Sequence, residues 1–179
     1  MTKKRNKFSN HNVDEHILFQ IMEKCAHILR SKKIVDIRSS SVEREAYFIF
    51  LIVLLEVLIK NIKRANFHFK RKFTDLQNFE SIEDLLREVR NACCHIDSSN
   101  NYVDQNAFYR FTTKLGTDGK YPDDATICFG KLYILYWRHI VFAFWDICEF
   151  FHFPFKLEET LLKYSSGEKL KQVLDNTVN

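Results

Sequence analysis

The chain has 179 residues, 46% of them hydrophobic and 17 of them Phe, and a formal net charge of +4. That apolar mass suits one domain with a sizeable core and excludes a chain disordered along its whole length. With only four Gly and two Pro, the sequence lacks the turn residues that an all-β fold needs roughly every 8 to 12 positions, and the mild charge permits nucleic-acid binding without demanding it.

In chain order, residues 1–12 read as a flexible basic tail carrying Lys3, Lys4, Arg5 and Lys7, and residues 13–179 as a single helical domain. Ile17, Ile21, Ala26 or Cys25, and Ile28 recur near the helical spacing and predict a first helix over 13–30. Ser39, Ser40 and Ser41 are N-cap candidates for a second, running to about residue 65. Its core, 47–59, is apolar on nearly every side, as suits the middle of a bundle. The apolar run of 46–59 is interrupted by Glu56 and is too short to span a bilayer, so no membrane partner is expected.

Residues 66–79 mix basic and aromatic side chains, among them Phe67, Phe69, Lys70, Arg71, Lys72 and Phe73. They read as a connecting loop with aromatic anchors, or else as a surface on which RNA bases stack. Ser81-Ile-Glu-Asp84 is a capping-box-like start, with a hydroxyl for an unpaired amide and an acid at the positive end of the helix. A third helix follows, with Ile82, Leu85, Leu86, Val89, Ala92, Cys93 and Ile96 on one stripe. It stops at the turn-forming cluster Asp97-Ser-Ser-Asn-Asn101.

Residues 97–130 have no regular pattern and read as an irregular insertion holding one short helix at most. A strongly apolar helix is expected over 131–151, stopped by Pro154, with two shorter helices at 157–164 and 168–175 closing the chain. The fold class expected is therefore all-α, an up-and-down bundle of four to five helices.

The five cysteines include no CxxC pair, and adjacent Cys93 and Cys94 do not sit comfortably on one tetrahedral ion. Reduced thiols packed as small apolar groups in a cytoplasmic protein are expected, with no metal and no cofactor.

Drawn as a wheel, the third helix sets Arg87, Asn91, Cys94 and His95 opposite the apolar stripe, with Arg90 on one rim of the polar face and His95 near the other. Arg90 and His95 are five steps apart, about 140 degrees on a straight helix, so one chain does not easily bring both to one small group.

Arg90-Asn-Ala-Cys-Cys-His95 resembles the signature of the HEPN (higher eukaryotes and prokaryotes nucleotide-binding) superfamily: Arg, four to six residues, then His near a helix end, with a polar residue directly after the Arg. The resemblance covers the second and third helices. It implies a bundle of about four or five helices, metal-independent endoribonuclease activity, and motifs that pair across a homodimer. It also implies a toxin or antiphage role with a possible cognate inhibitor or antitoxin protein. In HEPN toxins paired with a minimal nucleotidyltransferase, a Tyr often stands two residues after the His; Asp97 stands there in this chain.

The chemistry is coherent on its own terms. RNA carries its own nucleophile, so scission needs proton transfer at two oxygens and neutralisation of charge at phosphorus. His95 suits the first task and the Arg90 fork the second, with Asn91 orienting the phosphate or His95. Three supporting residues are Glu56, Asp97 and Arg87. Glu56 either pairs with Lys60 one turn on or pins the Arg90 guanidinium. Asp97 either orients His95 or only forms a turn. Arg138 and His139 are further candidates for contact with RNA. The alternative to a nuclease is a non-catalytic helical RNA-binding or protein-interaction module, in which Arg90 pairs with a nearby acid and His95 caps its helix.

Overall fold

The structure is a computed structural model that describes residues 15–36, 38–63, 66–95, 98–101, 111–115 and 124–156. The basic tail, Asp97 and the closing helices expected at 157–164 and 168–175 lie outside the described residues.

Three helices stand close to where the sequence sets them. Helix α1 (Glu15–Ser31) buries Leu18, Met22, Cys25, Ala26, Ile28 and Leu29 along one face. Helix α2 (Ser41–Lys63) starts where the Ser40 hydroxyl accepts the Glu43 amide at 3.1 Å, which satisfies one of the four amides left unpaired at a helix start. It sends Phe48, Leu51, Ile52, Leu55, Leu58, Ile59 and Ile62 into the core. Helix α3 (Ile82–Cys94) is capped by Ser81, whose oxygen accepts the Asp84 amide at 3.1 Å. It buries Ile82, Leu85, Leu86, Val89, Ala92 and Cys93 of the stripe read from the sequence; Ile96, the last member of that stripe, lies outside the described residues.

The remainder corrects the expected class. The domain is not all-α: its described residues include a three-stranded antiparallel sheet, β1 (Thr112–Leu115), β2 (Ala125–Phe129) and β3 (Leu132–Leu135), in the order β1-β2-β3. Strands β1 and β2 thus lie inside the stretch read as an irregular insertion, and β3 replaces the start of the helix expected at 131–151. Short apolar runs of four or five residues carry no periodicity that separates a strand from a buried helix segment. Their β-branched content, Thr112, Thr113, Thr126, Ile127 and Ile134, favours the extended form.

The β2–β3 turn is two residues long, with Phe129 opposite Leu132. Gly130 occupies it at φ +58°, and a Cβ there would meet the Asn100 carbonyl oxygen at 1.8 Å, so the residue is required on both counts. From β2, Ala125, Ile127 and Phe129 face the core, where Phe129 stacks on Phe48 of α2. Strands β2 and β3 both contact α3. The edge strand β3 is covered in part by Gln77, whose amide donates to the Tyr133 carbonyl at 3.1 Å.

Helix formation resumes at a π-helical segment, Tyr136–Val141, which leads into α4 (Phe142–Phe151). The segment has no side-chain cap of its own. Buried Asp124 supplies one from the start of β2, accepting the Trp137 and Arg138 amides at 2.8 and 3.1 Å. Burial pushes the Asp124 carboxyl up to about 6 against the pull of these amides. Helix α4 ends before Pro154 at His152, which takes a left-handed conformation.

Candidate functional site

The candidate site lies where α3 crosses α2 and ends in the turn at Ser99–Asn101. Two cross-helix pairs set their register: Lys63 with Glu83 at 3.8 Å and Glu56 with Arg90 at 3.6 Å, so the helices run antiparallel.

Both alternatives for Glu56 hold together. One carboxylate oxygen meets Lys60 at 2.6 Å and the other meets Nε of Arg90 at 3.6 Å. The Glu56 side chain is only 8% exposed, a position a carboxylate tolerates when cations compensate its lost hydration. Nη1 of Arg90 donates to Asn91 Oδ1 at 2.9 Å. The Asn91 amide reaches Glu88 at 3.5 Å, and Asn100 reaches the other Glu88 oxygen at 3.5 Å. A polar chain therefore runs from Lys60 on α2 through Glu56, Arg90, Asn91 and Glu88 to Asn100.

His95 forms the C-cap of α3. Its amide donates to the Asn91 carbonyl at 2.9 Å, while its own carbonyl accepts from the Ser98 amide at 3.0 Å and from Asn101 Nδ2 at 2.8 Å. The backbone at His95 is thus held from both sides while the residue is exposed. Asn101 is buried, and its neighbour Asn100 accepts the Lys131 amide at 2.8 Å, which ties the hairpin turn to this end of α3.

The structure brings together Glu56, Arg90 and Asn91. It leaves His95 at the helix end and turns Arg87 toward Asp84, at 2.7 Å, and Glu88, at 3.7 Å. The hydrogen bond from Ser81, with help from Arg87, holds the Asp84 carboxyl below its usual range. Asp97 lies outside the described residues. Sequence reasoning missed Glu88, Asn100 and Asn101. Glu88 has the i−3 relation to Asn91 as its signal, whereas the two asparagines look like ordinary turn formers.

Other candidates serve the fold. His139 is fully buried, with Nδ1 accepting the Leu135 amide at 3.2 Å and Nε2 at 2.8 Å from the Thr74 carbonyl. Burial lowers its pKa, which keeps the ring neutral. The backbone of Arg138 is spent on Asp124. In the 66–79 segment, Phe67 packs edge-on against Phe69 and Phe150, and Phe69 against Phe73, so these rings are anchors. Arg71 stacks 3.8 Å from the Trp145 ring centre and pairs with Asp146, which also accepts the Lys70 and Arg71 amides at 3.1 and 3.2 Å.

The five cysteines are all thiols; Cys94 is exposed, and burial pushes the Cys25 and Cys148 thiols up. Among the described residues no group of three or more His, Cys, Asp or Glu is placed to hold a metal ion, and no helix is long and apolar enough to cross a membrane. Comparison with protein-family models, curated proteins and solved structures returns no match to this chain.

Proposed function

We propose that this chain is a metal-independent endoribonuclease of HEPN type, with Arg90, Asn91 and His95 as its catalytic set and Glu56 as the residue that positions Arg90. The observation that carries the reading is an Arg90 guanidinium held by Glu56 and Asn91 while its side chain stays 30% exposed, on the same helix that ends in exposed His95. An anchored cation that still reaches solvent is what a phosphate site needs.

In this reading His95 takes the 2′-hydroxyl proton as the 2′-oxygen bonds to phosphorus. The bond from phosphorus to the 5′-oxygen breaks, and that oxygen takes up a proton from water, leaving a cyclic phosphate and a 5′-hydroxyl. Arg90 neutralises the non-bridging oxygens. Because Arg90 and His95 diverge along α3, the site is composite and belongs to a homodimer in the cytoplasm. A toxin or antiphage role, with a cognate inhibitor, belongs to the same proposal.

The test is incubation of purified protein with total RNA in excess EDTA. Wild type is expected to cleave, and Arg90→Ala and His95→Ala each to lose at least about 100-fold in rate, the scale of one acid-base or charge-stabilising group. A folded wild-type protein that leaves RNA intact overturns the reading.

A second reading, a non-catalytic RNA-binding or protein-interaction module, is favoured by one observation. The Glu56–Arg90 pair and the His95 backbone cap both have a purely structural use in joining α2 to α3 and ending α3. On that reading Arg90→Ala loses stability, His95→Ala changes nothing, and neither alters any RNA.

A further inference from the structure

The end of α3 and the β2–β3 turn are built as one unit, and Asn100 joins them. Its side-chain amide reaches Glu88 on the polar face of α3 at 3.5 Å, while its carbonyl accepts the Lys131 amide at 2.8 Å. Gly130 lies so close that a Cβ on it would stand 1.8 Å from that carbonyl oxygen. The neighbouring Asn101 is buried and donates to the His95 carbonyl at 2.8 Å. The turn thus presents exposed Lys131 beside the exposed His95 end of the helix, on a four-carbon stem that carries its charge outward.

We propose that Lys131 is a phosphate contact, and that a single-stranded nucleic acid crosses this face from Lys60 past Arg90 and His95 to the hairpin turn. The inference rests on the RNA reading of the α3 face and adds the path and class of the strand. The local charge balance calls for such a cation. Lys60 and Arg90 share Glu56, at 2.6 and 3.6 Å, and Arg87 pairs with Asp84 at 2.7 Å. Glu88 accepts from Asn91, which in turn holds Arg90. Among the described residues of this face, the three cations Lys60, Arg87 and Arg90 are therefore matched by the three carboxylates Glu56, Asp84 and Glu88. A phosphate approaching Arg90 meets a neutral surround until Lys131 is added, and with it the face attracts a polyanion.

The register of the two helices sets the order of the contacts. Glu83 lies level with Lys63 and Arg90 with Glu56, which brings Lys60 level with Leu86. At about 1.5 Å per residue, Arg90 is then about 6 Å along the axis from Lys60, and the His95 end of α3 about 7 Å further, with the turn of Lys131 beside that end. Charges along a stacked strand are spaced about 3.4 Å, so one phosphate does not touch all three cations, whereas several consecutive ones do. The cations form one row, which follows one backbone and leaves the second strand of a duplex without a partner. The hairpin, absent from an all-helical bundle, thereby acquires a use at the site: it holds out the cation that the helices themselves do not leave unmatched.

The experiment is fluorescence anisotropy of the full-length chain with a labelled 2′-O-methyl single strand of about 12 nucleotides, a length within the footprint of single-strand sites. Lacking a 2′-hydroxyl, this strand is bound without being cut. Lys131→Ala is expected to keep the wild-type circular dichroism, to bind at least about 3-fold less tightly, and to lower the slope of log affinity against log salt by about 0.7, the share of one phosphate on a single strand. A role for Lys131 in the fold alone leaves that slope unchanged. Lys131→Arg should keep the wild-type slope, Glu88→Gln should tighten binding, and Lys24→Ala, at an exposed position on α1, should alter neither affinity nor slope. No binding at low salt, a wild-type slope in Lys131→Ala, or equally tight binding of the annealed duplex overturns the proposal. Cleavage of ordinary RNA by the same samples separates the two readings. A strand bound through Lys131 but never cut supports the path and sinks the nuclease, whereas Arg90-dependent cutting with an unchanged slope in Lys131→Ala sinks the path alone.

Discussion

Two buried carboxylates, Glu56 on α2 and Asp146 on α4, stand in apolar helices, and their surroundings differ in one respect. Asp146 is fully buried; its Arg71 partner is 9% exposed and roofed by Trp145 and Phe142. The Lys70 and Arg71 amides complete its shell. Glu56 is nearly as deep at 8%, but its cations reach outward: Lys60 is 62% and Arg90 30% exposed. The first cluster is closed and can only hold the 66–79 segment against α4. The second keeps a fixed cation in contact with solvent, which is the property that separates a candidate site from a structural pair.

The closed cluster gives the largest expected effect. Asp146→Ala removes the carboxylate paired with Arg71 beneath aromatic rings and leaves only the longer-range pull of Glu149, and breaking such a buried pair costs about 3 to 5 kcal/mol. Urea unfolding checks this, and Asp146→Leu combined with Arg71→Met should recover much of the loss, since a packed apolar pair removes both burial penalties. If Asp146→Ala costs no more than a surface substitution, the two carboxylates are not different in kind.

Asp124 gives the next effect and carries a definite sign. Its folded-state value of about 6 lies above the unfolded 3.8, so the folded chain binds this proton more tightly. The associated stability is fully present below about pH 4 and is lost as the pH rises through 6. At neutral pH the loss amounts to about 3 kcal/mol, at 1.36 kcal/mol per unit. Asp124→Asn removes the titration, so the stability difference between wild type and variant should shift in the variant's favour between pH 4 and pH 7. Measured as a difference, the trend is separated from Asp36 and Asp84, whose lowered values act in the opposite direction. A flat difference across that range shows that the Trp137 and Arg138 amides compensate the buried charge in full.

How much of this was legible in the sequence follows from which signals were local. Helix α3 could be read almost residue by residue, because Ser81, the apolar stripe and the turn formers after His95 are all short-range. The Glu56 pairing could be framed but not decided, since Lys60 is four residues away and Arg90 thirty-four. The sheet was not legible. Its strands are four and five residues long, too short for periodicity to tell from helix, and β3 runs into π and α helix with no polar break. Nor was Asn101, because its hydrogen bond to the His95 carbonyl depends on a turn that the distant Gly130 hairpin holds in place. At the site, the residue types were visible, whereas the contacts that fix them come from elements the pattern did not separate.

Glu56→Gln gives the smallest effect on stability and the sharpest test of the comparison. Glutamine keeps the size and an acceptor oxygen, and both former partners can be hydrated where they stand, so the cost should be about 1 kcal/mol, as for a partly screened pair. An Arg90 that acts on phosphate should nonetheless notice the change: with its Nε anchor weakened, the cleavage rate should fall more than KM rises, and Glu56→Asp should restore less than a residue of merely structural use would allow. If Glu56→Gln instead costs as much as Asp146→Ala and leaves cleavage per folded molecule untouched, the pair on α2 is as closed in function as the one on α4. Arg90 would then be a strut joining two helices, its exposed surface incidental, and the polar face of α3 would have to act through His95 alone.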